Sequence, residues 1–392
     1  MEKALDLSSR FEKIFGTRPA LLARGPGRVN LLGEHVDYNA GPVLPAAIDR
    51  AVSIAVAPGE AGLVQLHALD LGGQVSIHLE SLEWKSDLQG RSLPRWALYP
   101  AGVAWALRRA GYPVGGLKAA FTSDVPIGAG LSSSAALEVA FAVAWQALAG
   151  WQGDRMRLAQ LCQQAENEYV GVNCGLMDQF ASAHGKEEHA LYFDTRSLEW
   201  QALPLPPGTV LVVADSGVRR SLADSAYNER RAACEQAVSI LNRYMPHVQT
   251  LRDVSPVEFA AYAEFLPGEV RRRAEHVVKE IARVESAAAT LRTGKERSLG
   301  ALMFAGHASL RDLYQVSTPE LDALVEIARR LPGCLGARLT GAGFGGCTVN
   351  LVEESRAPDF IRGLAESYAQ QIGRSAQVYL CRASRGASVE KI

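Results

Sequence analysis

The sequence predicts an α+β fold in two lobes. Three observations predict it. Strand and helix patterns alternate along the chain without the regular βαβ rhythm of a doubly wound sheet. The length, 392 residues, suits two domains or one large unit rather than one small core. A mixed first half also gives way, near Asp224, to a strongly helical second half. The PLPPG turn at Pro204–Gly208 is a plausible seam, and the expected division runs 1–185 and 186–392.

The elements follow from local pattern. SSRFEKIFG reads as a short helix stopped at Gly16. Ala20–Arg24, Ala51–Ala57 and Val64–His67 read as strands between Gly, Pro and Asp punctuation. Pro94–Ala110 is helical in pattern, and Leu117–Thr122 is a strand. From Ser132 the run SSSAALEVAFAVAWQALAG is small and apolar on most faces, so it should form a helix buried nearly all round. Helices continue through Glu168. Strands are expected at His189–Asp194 and Thr209–Asp215, then long helices, then the strands CTVNLV and AQVYLCR with a helix between them.

Composition excludes several classes. A 48% apolar and 21% charged chain is globular, and a formal net charge of −1 gives no basic excess for nucleic acid. The six cysteines contain no C-x-x-C pair, so they read as buried thiols of a reducing compartment rather than as a zinc ribbon. The N-terminus lacks an apolar signal core, and no window approaches the ~18 apolar residues of a membrane span. The expected location is the cytoplasm, with no membrane partner.

Four segments carry possible chemistry. GRVNLLGEHVDYN, Gly27–Asn39, gathers Arg28, Glu34, His35 and Asp37 beside an apolar run. DVPIGAGLSSSAALEVA, Asp124–Ala140, leads two glycines and three serines into the apolar helix. A helix start offers unpaired N–H groups and partial positive charge, and Gly128 and Gly130 allow close backbone approach. The segment therefore reads as an anion cradle or as a serine N-cap on a core helix. It is not a Walker A loop, because no G-x-x-x-x-G-K-[ST] occurs. LTGAGFGGCTVNLV, Leu339–Val352, matches G-x-G-x-x-G, but a strand pattern follows where a dinucleotide fold needs a helix. It reads as a hairpin turn or as a close-approach loop. In QQAENEYVGVNCGLMDQFAS, Gln163–Ser182, Glu166 ends one helix and Asp178 opens another after Gly175. Asp178 is either a solvated first-turn acid or a proton acceptor held by a cation.

Taken in order, GRVNLLGEHVDYN, PIGAGLSSSA and LTGAGFGGC resemble the three motifs of the GHMP small-molecule kinases. G-E-H-x-D-Y-N after R-V-N, together with CGLMDQF and SLADSAYNERR, resembles the galactokinase branch. The likeness runs from about residue 20 to 350. Two departures, Val36 for the usual threonine and Ala40 for a common glycine, remove no functional group.

The resemblance implies a two-lobed GHMP kinase fold with the active site in the cleft. It implies ATP-dependent phosphorylation of the anomeric C1 hydroxyl of galactose, the first committed step of the Leloir pathway. Asp178 would be the base and Arg28 the stabilising cation. Glu34, His35, Asp37, Gly175, Asp178 and Tyr227 would bind the sugar. Gly128, Ala129, Gly130, Leu131, Ser132, Ser133 and Ser134 would cradle the ATP phosphates. Ser134 and Glu166 would hold magnesium. The partners implied are galactose and ATP, acting on a monomer. Rival readings are a kinase for N-acetylgalactosamine or arabinose, a sugar- and ATP-binding regulator, and a metal-dependent hydrolase using His35 and Asp37. The histidines outside the motif lack ligand spacing for the last.

Overall fold

The computed structural model describes every residue except 1, 127, 220–222 and 294–295. For 2–5, 223–225 and 296–297 it describes the backbone alone. Ser221 and Leu222 of the SLADSAYNERR segment therefore lie outside the described residues.

Among the described residues, three sheets organise the fold. Their strands are β1 (Leu21–Asn30), β2 (Pro42–Val43), β3 (Pro45–Pro58), β4 (Leu63–Ala68), β5 (Gly73–His78), β6 (Leu117–Ser123), β7 (His189–Asp194), β8 (Trp200–Pro204), β9 (Thr209–Asp215), β10 (Cys334–Thr340), β11 (Cys347–Glu353), β12 (Gln377–Cys381) and β13 (Ser388–Lys391). The first sheet runs β13-β1-β3-β6-β4-β5, the second β10-β11-β9-β12, and the third β2-β7-β8. The β4–β6 pair is parallel, and the remaining pairs are antiparallel.

The helices are α1 (Glu2–Phe15), α2 (Arg95–Arg109), α3 (Ser133–Ala149), α4 (Arg155–Gln164), α5 (Met177–His184), α6 (Ala223–Leu241), α7 (Pro256–Tyr262), α8 (Gly268–Thr293), α9 (Glu296–Ser309), α10 (Pro319–Arg330) and α11 (Ala357–Ile372). As its composition dictates, α3 is buried on every face from Ala135 to Trp145. It packs backbone-to-backbone on β1. A Cβ at Gly25 would lie 2.1 Å from the Ala136 carbonyl oxygen, and one at Gly27 would lie 2.8 Å from that of Leu131. Those two glycines bring the serine-rich loop against the first strand.

Apolar residues of β9 and β11 (Leu211, Val213, Val349, Leu351) share one core with Val284, Ala287 and Ala288 of α8 and Val29 of β1. This core joins the first and second sheets. The other face of the second sheet is covered by α10 and α11 through Leu324, Phe360 and Leu364.

Two features differ from the sequence reading. Helix α4 ends at Gln164, and a π-helical turn, Ala165–Val170, carries Glu166. The chain also crosses the expected division at 185/186 twice. β13 pairs with β1, and β7 pairs with β2. The physical reason is that an open strand edge is satisfied by whichever segment lies beside it, whatever its place in sequence.

Candidate active site

Residue-level geometry brings the four motif segments to one cavity of about 1110 Å³. Strand β1 delivers Arg28 just beyond a register shift between Pro26 and Arg28, where an irregularity re-aims the side chain. Arg28 is buried, and each nitrogen of its guanidinium is engaged. Its Nε and Nη2 donate to Asp178 Oδ1 at 2.8 and 2.7 Å, and its Nη1 donates to the Gly130 carbonyl at 2.7 Å. One cation thus ties the carboxylate at the start of α5 to the glycine–serine loop.

That loop takes three left-handed residues, Gly128, Gly130 and Ser132 (φ 71°, 83° and 57°). Ser132 stands at the N-cap position of α3 but makes no side-chain cap. Its hydroxyl donates instead to Asp178 Oδ2 at 2.5 Å. The N-cap alternative therefore does not hold for Ser132. Ser133, Ser134, Gly128 and Gly130 also line the cavity. Ala129 and Leu131 do not, because their side chains pack into the core beneath. Only their backbone could meet a ligand.

The first motif forms the opposite wall. His35 has φ 63°; its Nδ1 is 2.9 Å from the Tyr38 hydroxyl and its Nε2 3.1 Å from the Ala342 carbonyl. Its ring lies among Tyr38, Tyr227 and Tyr314 at centroid distances of 5.9, 5.5 and 4.7 Å. Asp37 sits directly over Gly175, where an added Cβ would fall 1.8 Å from Asp37 Oδ2. Burial, then the charge of Asp178, pushes the Asp37 carboxyl up to about 6. Glu34 is buried against Arg338 and accepts from the Gly341 N–H at 3.3 Å. Burial outweighs the Arg338 charge and pushes Glu34 up to about 7.

The third motif resolves as a hairpin loop between β10 and β11, with Thr340 opposite Cys347. Its glycines are demanded by close approach: Gly343 has φ 80°, and a Cβ there would lie 2.3 Å from the Val316 carbonyl oxygen. The loop is also part of the site, since Gly341 and Ala342 line the cavity.

Glu166 is buried with neutral partners. It accepts from the Gln179 amide at 2.6 Å, from the Cys174 thiol at 3.5 Å and from Ser134. Burial, then the Asp178 charge, pushes it up to about 7. A buried carboxylate next to a serine hydroxyl, with no cation among those partners, is an oxygen donor pair suited to a hard divalent ion. Among the described residues no group of three or more His, Cys, Asp or Glu could hold a metal, which leaves the His35/Asp37 hydrolase reading without ligands.

Sequence reasoning missed several members of the site. Arg219 lines the cavity, pairs with Asp215 through two 2.9 Å bonds and lies against Gly128. Trp96, Tyr99, Phe121 and Leu137 give the cavity an apolar end. Arg219 could have been found from its place in SGVRR, directly after a buried strand. The apolar end comes from three separate elements, α2, β6 and α3, and leaves no local signal.

Comparisons with known proteins agree with this arrangement. Residues 9–58 match the galactokinase galactose-binding signature, 99–186 the GHMP kinases N terminal domain and 287–370 the GHMP kinases C terminal. Galactokinase of Roseiflexus sp. (strain RS-1) is 48% identical over 381 residues, covering 97% of this chain and 96% of that one. Galactokinase of Homo sapiens is 44% identical over 384 residues, covering 97% and 94%. The crystal structure of Lactococcus lactis galactokinase complexed with galactose superposes with a TM-score of 0.93 at 32% identity, covering 98% and 99%. Methanococcus jannaschii mevalonate kinase shares the fold, with a TM-score of 0.66 at 18% identity over 93% and 98%. With that likeness running nearly end to end, and its motifs converging on one cavity, the chain belongs to the galactokinase family of the GHMP kinases.

Proposed function

We infer that the protein transfers the γ-phosphoryl group of ATP to galactose, and that the C1 hydroxyl is the acceptor. The observation that carries the reading is the Arg28–Asp178 pair set against the glycine–serine loop. Phosphoryl transfer needs positioning and charge stabilisation more than covalent help. Asp178, which lines the cavity, is the acceptor for the sugar hydroxyl proton. Arg28 keeps the carboxylate aligned and offsets charge developing on the phosphoryl oxygens. Gly128 to Ser134 receive the phosphates through the loop backbone and the α3 N-terminus, with Arg219 above them. The apolar end takes the base of the nucleotide. Glu34, His35, Asp37 and Tyr227 read the sugar hydroxyls.

Ser134 and Glu166 would hold Mg2+, and their donor chemistry fits it. Bound there, the ion would neutralise phosphate charge. All four strands of the second sheet come from after residue 185, and all strands of the first sheet but β13 come from before it, which supports a lobe division at about residue 185, with β13 returning to the first lobe.

The test is an ADP-release assay with ATP and magnesium against galactose, N-acetylgalactosamine, glucose, arabinose and 2-deoxygalactose. Turnover is expected with galactose and its 2-deoxy analogue, and Asp178→Asn should lower kcat about 10²–10⁴-fold. Preference for another sugar would change the substrate; binding without turnover would make the protein a regulator.

A further inference from the structure

Glu138 is the one carboxylate of the apolar helix α3, and it is fully buried. Its Oε2 accepts from Gln179 Nε2 at 3.0 Å, and its Oε1 has no hydrogen-bond partner among the described residues. Burying such a group costs free energy, and nothing in the proposed chemistry uses it. Gln179 is equally buried, and the same Nε2 makes a second bond, 2.6 Å to Glu166 Oε2.

One amide nitrogen therefore spans two carboxyl groups and ties three elements together. α3 carries Ser134 one turn before Glu138. α5 carries Asp178 beside Gln179. The π-helical turn carries Glu166. An apolar residue at 138 would pack as well but would leave the amide free to turn away from Glu166.

We propose that Glu138 and Gln179 are positioning residues for the divalent cation, holding Glu166 in register with Ser134. This rests on the reading of Ser134 and Glu166 as cation ligands. Supporting groups behind metal ligands are worth about 10- to 100-fold in metal affinity. They act here through one path: without Glu138 the Gln179 amide loses its anchor, and without Gln179 the Glu138 carboxyl has nothing to hold.

The experiment is Mn2+ binding to the full-length protein with a non-hydrolysable ATP analogue, read by the free-Mn2+ electron paramagnetic resonance signal. Glu138→Met should weaken Mn2+ binding about 10- to 100-fold, and Gln179→Met should do the same. The double variant should lose no more than either single one, because both cut one connection. Glu138→Gln, whose amide oxygen can accept the same bond, should restore binding to within a few-fold of the starting protein. Wild-type Mn2+ affinity in folded Glu138→Met or in folded Gln179→Met overturns the proposal, and either variant suffices for the test. Glu166→Gln separates the two levels. If it weakens Mn2+ binding while Glu138→Met does not, the positioning role alone fails. If it too binds normally, the cation site itself is misassigned.

Discussion

Asp178 has both carboxylate oxygens engaged, Oδ1 by Arg28 and Oδ2 by Ser132. The Ser132 hydroxyl, expected from its motif to face phosphate, thus holds the Asp178 carboxylate. Ser132→Gly removes it and suits the left-handed backbone that Ser132 already adopts. The expected effect is a fall in kcat of about tenfold, the worth of one hydrogen bond to a charged group, with little change in the KM for ATP. A rise in KM for ATP at constant kcat would return Ser132 to the phosphates. Asp37 gives a pH-dependent case. Its folded-state carboxyl titrates at about 6, above an ordinary aspartate near 4. The folded protein therefore binds the extra proton, so the stabilising contribution is full below about 4 and is lost as pH rises through 6. Asp37→Asn should raise the melting temperature more at pH 8 than at pH 5, while weakening sugar binding. Equal gains at both pH values would show that the carboxyl is not held this way.

Between elements, glycines decide where the active-site segments can meet. Gly175→Ala would drive a methyl group into the Asp37 carboxylate. We expect galactose binding to fall at least tenfold by titration calorimetry, with the ATP KM nearly unchanged; unaltered galactose affinity would mean that Asp37 does not need this placement. The sequence displayed those glycines plainly, along with α3, the motif order and the helical second half. It concealed why each glycine is there, because the answer lies in a partner far along the chain: Asp37 for Gly175, Val316 for Gly343, Ala136 for Gly25. The short strands β2, β5, β8 and β13 escaped for a related reason. They have two to six residues, and their pairing is decided by neighbours rather than by a strong pattern of their own. Glu138 did leave a local trace, a lone acid in an otherwise apolar run, but its partners Gln179 and Glu166 become visible only in three dimensions.

Across the whole molecule, the Gly27–Asn39 motif is fastened to β10 and α8 by a buried ionic network. Arg338 of β10 pairs with Glu34 and, at 2.8 Å, with Glu280 of α8. Glu280 in turn accepts from the Gly33 N–H at 2.8 Å and pairs with Arg283 at 2.6 Å. Burial opposes the Glu280 charge, but Arg338 and Arg283 hold its carboxyl far below the ordinary range. Arg338→Met would leave buried Glu34 without its paired cation and Glu280 with Arg283 alone, and a loss of about 3–5 kcal/mol in chemical denaturation is expected; a loss under 1 kcal/mol would show that the network does not hold these elements together. The central claim is that this assembled cleft phosphorylates galactose at C1 with Asp178 as base. The most direct measurement is phosphorus NMR of the product formed from galactose, ATP and magnesium, by the wild-type protein and by Asp178→Asn. The account predicts one sugar phosphate, its phosphorus coupled to the anomeric proton, formed by the wild type and nearly absent with Asp178→Asn. Phosphate on another hydroxyl, or undiminished product from Asp178→Asn, would contradict it.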